Sequence, residues 1–237
     1  MLIKTIQFVV ALALPSVLLL GNVQLLAHDR FVHFEYGQAG FPDDTAIPFD
    51  GYPLSRAERA ALAERALQSI IGPQGMRALE EARFEETGAA AFNAREIRHM
   101  RDVRLVFQRA RVVFWLALVA LAGGGALLGR RLGRQGVTRP LVASVTGTLS
   151  LVLALGLYIL LSFGSFFTRF HNVFFESGTW VFRADDTLIR LFPLDFWSDA
   201  ATFIAGLTLA ELLLVGVGAW WWGRRGRTQT NADLLTR

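Results

Sequence analysis

Four stretches of this chain, residues 3–27, 103–129, 141–166 and 200–222, are built mainly of Leu, Ala, Val, Gly and Phe. That feature narrows the available folds more than any other. Each is long enough to cross a bilayer, which takes about 20 helical residues for ~30 Å of hydrocarbon. A soluble chain of 237 residues would spread its 53% hydrophobic content at helical or strand period. Here the apolar residues come in blocks, so the solvent for much of the chain is lipid. The first block is expected to remain as an uncleaved first transmembrane helix, because Leu25 stands where a cleavage site before His28 needs a small residue.

Charge orients the four spans. Lys4 near the amino terminus, Arg130, Arg131, Arg134 and Arg139 in the short connector 130–140, and Arg224, Arg225 and Arg227 in the tail 223–237 all mark the cytoplasmic side. Residues 28–102 and 167–199 then lie outside. The expectation is an all-α membrane protein, a single integral membrane domain of four transmembrane helices. A small, mostly helical extracytoplasmic segment joins helices 1 and 2, and an interfacial aromatic loop joins helices 3 and 4. The formal net charge of +4 does not mark a nucleic-acid binder, since the arginines bracket the apolar runs and form no stripe. The absence of cysteine excludes thiolate nucleophiles, Cys-ligated zinc and disulfides.

The outer segment opens irregularly, with turn clusters at 41–44 and 48–53. Ser55 with Glu58 is a capping box that starts an Ala-rich helix to about Ile71, stopped by Gly72 and Pro73. Asn93 with Glu96 is a second box. Its helix carries Ile97, Met100, Val103 and Phe107 at three- and four-residue spacing and runs unbroken into the second span. In 167–199, rings alternate with isolated polar groups, the composition that membrane–water boundaries select. Gly178 and Pro193 make that stretch too broken to span.

Two histidines fall at the same outer level. His99 lies just ahead of the second span, with Glu96 three residues before it and Asp102 three after, near one helix face. His171 follows the third span directly. A carboxylate beside an imidazole fixes its tautomer and favours protonation. The bland alternative is an interfacial histidine making one hydrogen bond, and His28 and His33, with no distinctive neighbours, fit that description. A zinc set from both imidazoles plus Asp102 or Glu176 is a competing reading, though no His-Glu-x-x-His motif is present. A Ser-based hydrolase is weaker, because neither Ser165 nor Ser177 sits in a Gly-x-Ser-x-Gly elbow. Glu211, mid-way along the fourth span, is expected to face the bundle. Gly123, Gly124, Gly125 and Gly129 suit close helix packing, and Trp220, Trp221 and Trp222 an interfacial anchor. No internal repeat or broken helix pair suggests a transporter.

The run Glu96…His99-Met100-Arg101-Asp102-Val103-Arg104 resembles the E-x-x-H-M-x-D-V-K stretch of a family of small bacterial integral membrane proteins. Arg104 stands where the motif has Lys. Phe170-His171-Asn172-Val173-Phe174-Phe175, then Trp180-Val181-Phe182, Asp186-Thr187-Leu188-Ile189 and Pro193-Leu194-Asp195-Phe196-Trp197, are similar to its second signature. Most of 28–90 carries no matching motif. The best understood member type is the lipoprotein intramolecular transacylase. The resemblance implies an enzyme of the bacterial cytoplasmic membrane, needing no cofactor or metal, with its termini in the cytoplasm and its active site at the outer leaflet. Its partners would be membrane lipid and a diacylglyceryl-modified lipoprotein. The reaction implied moves the sn-2 acyl chain of the lipoprotein's cysteine to that cysteine's own α-amino group. His99 and His171 are the catalytic residues it implies. The reading assigns His99, oriented by Glu96 or Asp102, as base, and His171 as oxyanion stabiliser or acid, with the roles exchangeable. Arg104, Asn172 and Trp180 are expected to position substrate. A non-enzymatic membrane scaffold and a His-ligated metal-dependent hydrolase are the alternatives.

Overall fold

The computed structural model describes residues 1–44 and 53–235, with side chains as far as Arg224. Most of the turn cluster at 48–53, and the side chains of Arg225 and Arg227, lie outside the described residues. The helices are α1 (Leu2–Leu26), α2 (Asp29–Gly37), α3 (Arg56–Ile71), α4 (Arg77–Glu80), α5 (Ala94–Leu161), α6 (Phe163–Phe174), α7 (Thr187–Leu191) and α8 (Leu194–Leu235). Among the described residues the one β feature is a bridge between Arg83 and Ala90. Among the described residues three helices are long and apolar enough to cross a membrane: α1, α5 and α8 as far as Arg224.

Two details depart from the sequence expectation. The eleven-residue connector 130–140 is helical except at Gly133, which takes φ 63° and ψ −159° and kinks α5. Glycine enters that region without a Cβ penalty, while the arginines beside it are good helix formers. The expected loop 167–199 is largely helix. Ser162 (φ −158°, ψ 70°) ends α5, α6 then carries the chain to Phe174, and α8 begins directly after Pro193 rather than near residue 200. The aromatic residues at three- and four-residue spacing in 163–174 explain the first change. Asp195 in the first turn of α8 favours the second.

The chain divides into two compact units. One comprises residues 1–23, 110–157 and 203–237. Its helices meet through small residues and few polar groups. Val10 of α1 is fully buried, and a Cβ added to Gly124 of α5 would lie 2.6 Å from its Cγ2. Gly123 and Gly125 face open space, so one glycine of the triplet provides the close approach. Ser144 Oγ donates to Ala11 O at 2.6 Å. Asn22 Nδ2 donates to Thr208 Oγ1 at 3.1 Å and Glu211 Oε2 at 2.9 Å, so Glu211 does turn to a neighbouring helix. Leucines such as Leu116 and Leu214 are exposed, as lipid-facing side chains must be.

The other unit, residues 24–109 and 158–202, is held in the opposite way. Its α3 packs against α2, α4 and α7 around an apolar core that includes Leu62, Leu79 and Leu191. Threaded through that core is charge. Arg59, 2% exposed, donates from Nε and Nη2 to Arg190 O at 3.0 and 2.6 Å, and from Nη1 to Pro42 O at 2.8 Å. Its guanidinium lies over the Tyr36 and Phe41 rings. Arg190 and Asp44 form a buried bidentate ion pair. Burial alone would raise the Asp44 carboxyl, but hydrogen bonds from Arg190 and Leu54 N–H hold it below its ordinary value. Ser55 caps α3 as its sequence predicts, accepting from Glu58 N at 3.1 Å.

Candidate active site

The site is built from the start of α5, where the capping box closes fully. Asn93 Oδ1 accepts from Arg95 N and Glu96 N, and Glu96 Oε2 accepts from Asn93 N at 2.8 Å. The other oxygen of Glu96 accepts from Leu188 N at 2.8 Å, which ties the first turn of α5 to α7. Burial lifts this carboxyl to about 7 against the pull of those two N–H donors, and Asp186 nearby adds to the rise. Asp186 accepts from Asn93 Nδ2, Arg95 Nη2 and Arg183 N, fastening the same two segments a second time. Through these bonds the 182–188 stretch is held against α5, with Phe182 on His99.

His99 is buried, one turn into α5. The rings of Phe175 and Phe182 meet its imidazole edge-on at 4.8 and 5.2 Å. Its Nδ1 is buried without a hydrogen-bond partner among the described residues. Burial, with a smaller contribution from His171, depresses its pKa to about 4, so it is neutral at pH 7. His171, half-buried on α6, lies 6.3 Å away between ring centroids, the two planes inclined by only 23°. Its Nδ1 is 2.8 Å from Phe167 O. A carbonyl oxygen has no hydrogen to give, so Nδ1 carries the proton and the lone pair of the neutral ring is on Nε2. Burial lowers the His171 pKa too, although the Phe167 carbonyl opposes it. Phe167 packs on this imidazole at 4.0 Å and Trp180 at 4.9 Å.

The other expected site residues fall into two groups. Trp180 and Asn172 stand beside His171, the indole Nε1 donating to Asn172 Oδ1 at 3.2 Å. Glu96, Asp102 and Arg104 do not reach the imidazoles. Both oxygens of Glu96 are taken by backbone N–H groups, and Asp102 makes no hydrogen bond to either ring. Arg104 Nη1 donates to the carbonyls of Ser69, Ile70 and Gly72, closing the C-terminus of α3. The physical reason is competition: orphan amides and carbonyls at helix ends outbid a distant imidazole for the nearest charge. Among the described residues no three His, Cys, Asp or Glu side chains gather as a metal would need. His28 accepts from Arg30 N as the cap of α2, and His33 pairs with Glu64 at 3.0 Å on the surface. The rings of Phe175 and Phe182 were not among the expected site residues; the aromatic density of 170–182 was the one signal that pointed to them.

The arrangement supplies two neutral imidazoles in an aromatic enclosure, one with its proton position fixed. A family model described as lipoprotein intramolecular transacylase Lit matches residues 8–197. An uncharacterised protein of Aquifex aeolicus (strain VF5) is 30% identical over 213 residues, covering 90% of this chain and 92% of its own. The in meso structure of the membrane integral lipoprotein intramolecular transacylase from Bacillus cereus superposes with a TM-score of 0.72 at 17% identity. It covers 96% of this chain and 98% of that one. A variant of the same protein with a histidine replaced by alanine gives a TM-score of 0.70 at 18% identity, over 96% of both chains.

Proposed function

This chain belongs to the lipoprotein intramolecular transacylase family, and from that membership and the geometry of its paired imidazoles we propose that it performs the family's reaction. It is an integral membrane protein that moves an acyl chain from the sn-2 oxygen of a diacylglyceryl-cysteine to the α-amino group of the same residue. The kink at Gly133 supports reading α5 as two crossings. With four spans, the basic residues that flank them assign both termini to the cytoplasm and the histidine-bearing segments to the outer leaflet.

The observation that carries the reading is the pair of near-parallel imidazoles, with the His171 Nδ1 proton committed to Phe167 O. The nucleophile belongs to the substrate, so no Ser or Cys is required. The α-ammonium, with a reference pKa near 7.7–8.0, must lose two protons in all. One passes to solvent. The other is taken by His171 Nε2 as nitrogen attacks the sn-2 carbonyl carbon. His99, kept neutral by burial, donates its ring N–H to the oxyanion of the tetrahedral intermediate. The C–O bond to glycerol breaks, and His171 returns its proton to the departing oxygen. The products are an amide and a free 2-hydroxyl. Amine and ester share one molecule, so proximity supplies much of the rate. This assignment reverses the sequence-based one, because the fixed tautomer suits His171 better as base and nothing in the geometry supplies His99 with an orienting carboxylate. Trp180 and Asn172 keep their positioning role, acting on His171 as well as on substrate.

The test is mass spectrometry of a reporter lipoprotein's N-terminal peptide in cells with and without this protein. An N-acylated lyso-lipoprotein is expected only with the intact chain, and its formation at normal rates by a His99→Ala/His171→Ala double variant would refute the proposal.

A further inference from the structure

Helix α6 carries five phenylalanines and yet buries none of its side chains. Phe163, Phe166 and Phe170 recur at spacings of three and four and so share one face. Their rings follow one another, with 6.1 Å between the Phe163 and Phe166 centroids and 6.1 Å between Phe166 and Phe170. Ser165, Thr168, Arg169 and Asn172 occupy the opposite face. His171 stands at the edge of the aromatic face, 5.6 Å from the Phe170 ring. From His171 back to Phe163 that face runs about 12 Å. One leaflet of a ~30 Å hydrocarbon layer gives an acyl chain about 15 Å. Beyond Phe163, across the helix break at Ser162, the end of α5 carries Leu160 and Leu161, 84% and 77% exposed, so uncharged apolar side chains lie on the chain at the end of the face away from the imidazole. Phenylalanines left unburied by the fold, followed by exposed leucines in a chain with membrane-crossing helices, fit hydrocarbon as the occupant.

We propose that Phe170, Phe166 and Phe163, in that order from ester to tail, seat the sn-2 acyl chain while its carbonyl lies beside His171. The inference rests on the transacylase reading and adds which surface measures the chain. Rings near the ester touch every substrate, whereas Phe163 touches only long ones.

Synthetic diacylglyceryl-cysteine peptides with hexadecanoyl or octanoyl sn-2 chains, presented in nanodiscs, test this. Phe163→Ala is expected to raise KM about tenfold for hexadecanoyl, the worth of a lost apolar contact in a pocket. It should leave octanoyl within about twofold. Equal losses for both chains would overturn the track in favour of a fold-supporting ring, and no loss for either would reduce it to bulk-lipid contact. Photolabelling of the inactive His171→Ala variant with a hexadecanoyl substrate carrying a terminal diazirine needs no turnover. Labels concentrated near Phe163 support the seat even if the wild-type chain shows no transacylation, in which case the reaction, not the track, is at fault. Labels spread evenly over the apolar helices would overturn the track and leave the reaction standing.

Discussion

The two units solve opposite problems with one chain. The unit of 24–109 and 158–202 buries apolar side chains from water and threads ion pairs such as Arg190–Asp44 through its core. The unit of 1–23, 110–157 and 203–237 leaves leucines exposed and keeps its helices together by close packing at Gly124 and a few hydrogen bonds, among them Ser144 to Ala11 O and the Asn22 amide to Thr208 and Glu211. In water, hydrophobic burial supplies the drive, so charges inside can be tolerated where every donor is satisfied. In lipid that drive is absent between helices, and fit and a few hydrogen bonds must suffice. The paired imidazoles lie in the first kind of unit, which has the polar groups to hold the segments that carry them.

The sharpest break between the units is in catalysis. His171→Ala is expected to cut lyso-lipoprotein formation by about 10²–10⁴-fold, whereas Glu211→Gln should leave it within a few-fold, read by the same mass-spectrometric assay. If Glu211→Gln were as damaging, the division of labour would be wrong. Next comes stability. Asp44→Ala strands Arg190 in the core and should cost about 3–5 kcal/mol, visible as lost hydrogen-exchange protection in α3 and α7.

A pH series sharpens the contrast further. Burial, with Asp199 close by, raises the Glu35 carboxyl from 4.5 to about 7. A raised acid contributes stability that is complete below its ordinary value and drains away as pH climbs through about 7. Between pH 5 and 8 this group should therefore cost the unit about 1–3 kcal/mol. Glu96, raised to about the same value, adds its own loss, so Glu35→Gln should lessen the slope in a thermal-unfolding series without abolishing it. The rate profile has its own signature: the acid limb, set by His171, should have its midpoint below the ordinary imidazole value of 6.5. The smallest effect belongs to the lipid-facing unit. Asn22→Ala should cost only about 1 kcal/mol, the typical worth of a hydrogen bond between membrane helices, measured as a small shift in detergent-induced unfolding.

How much of this was written in the residue order depends on the range of the interaction. The long apolar runs, the caps at Ser55 and Asn93, and the stop at Gly72 are local, and each appears where its residues put it. His99 and His171 could be singled out because sequence spacing and charge placed them at one level. The partners of Glu96 and Arg104 could not be foreseen, because Leu188 N–H and the α3 carbonyls lie far off in the chain and backbone groups leave no mark in composition. Arg59 is the extreme case. In sequence it is one more surface arginine of an Ala-rich helix, and nothing local announces that Arg190 O, Pro42 O and two rings enclose it. The helix α6 was missed for another reason: Gly178 and Pro193 drew attention to irregularity, while the regular spacing began upstream of His171.

The proton on His171 is governed by a main-chain oxygen, not by a side chain. Any residue at position 167 brings the same carbonyl, so no single replacement there can erase the constraint, although it can change the packing of the ring. What can erase it is unwinding one turn of the helix. Whatever loosens that turn, whether a solvent, a detergent or a small molecule wedged alongside, would free the His171 proton to either ring nitrogen without touching an imidazole.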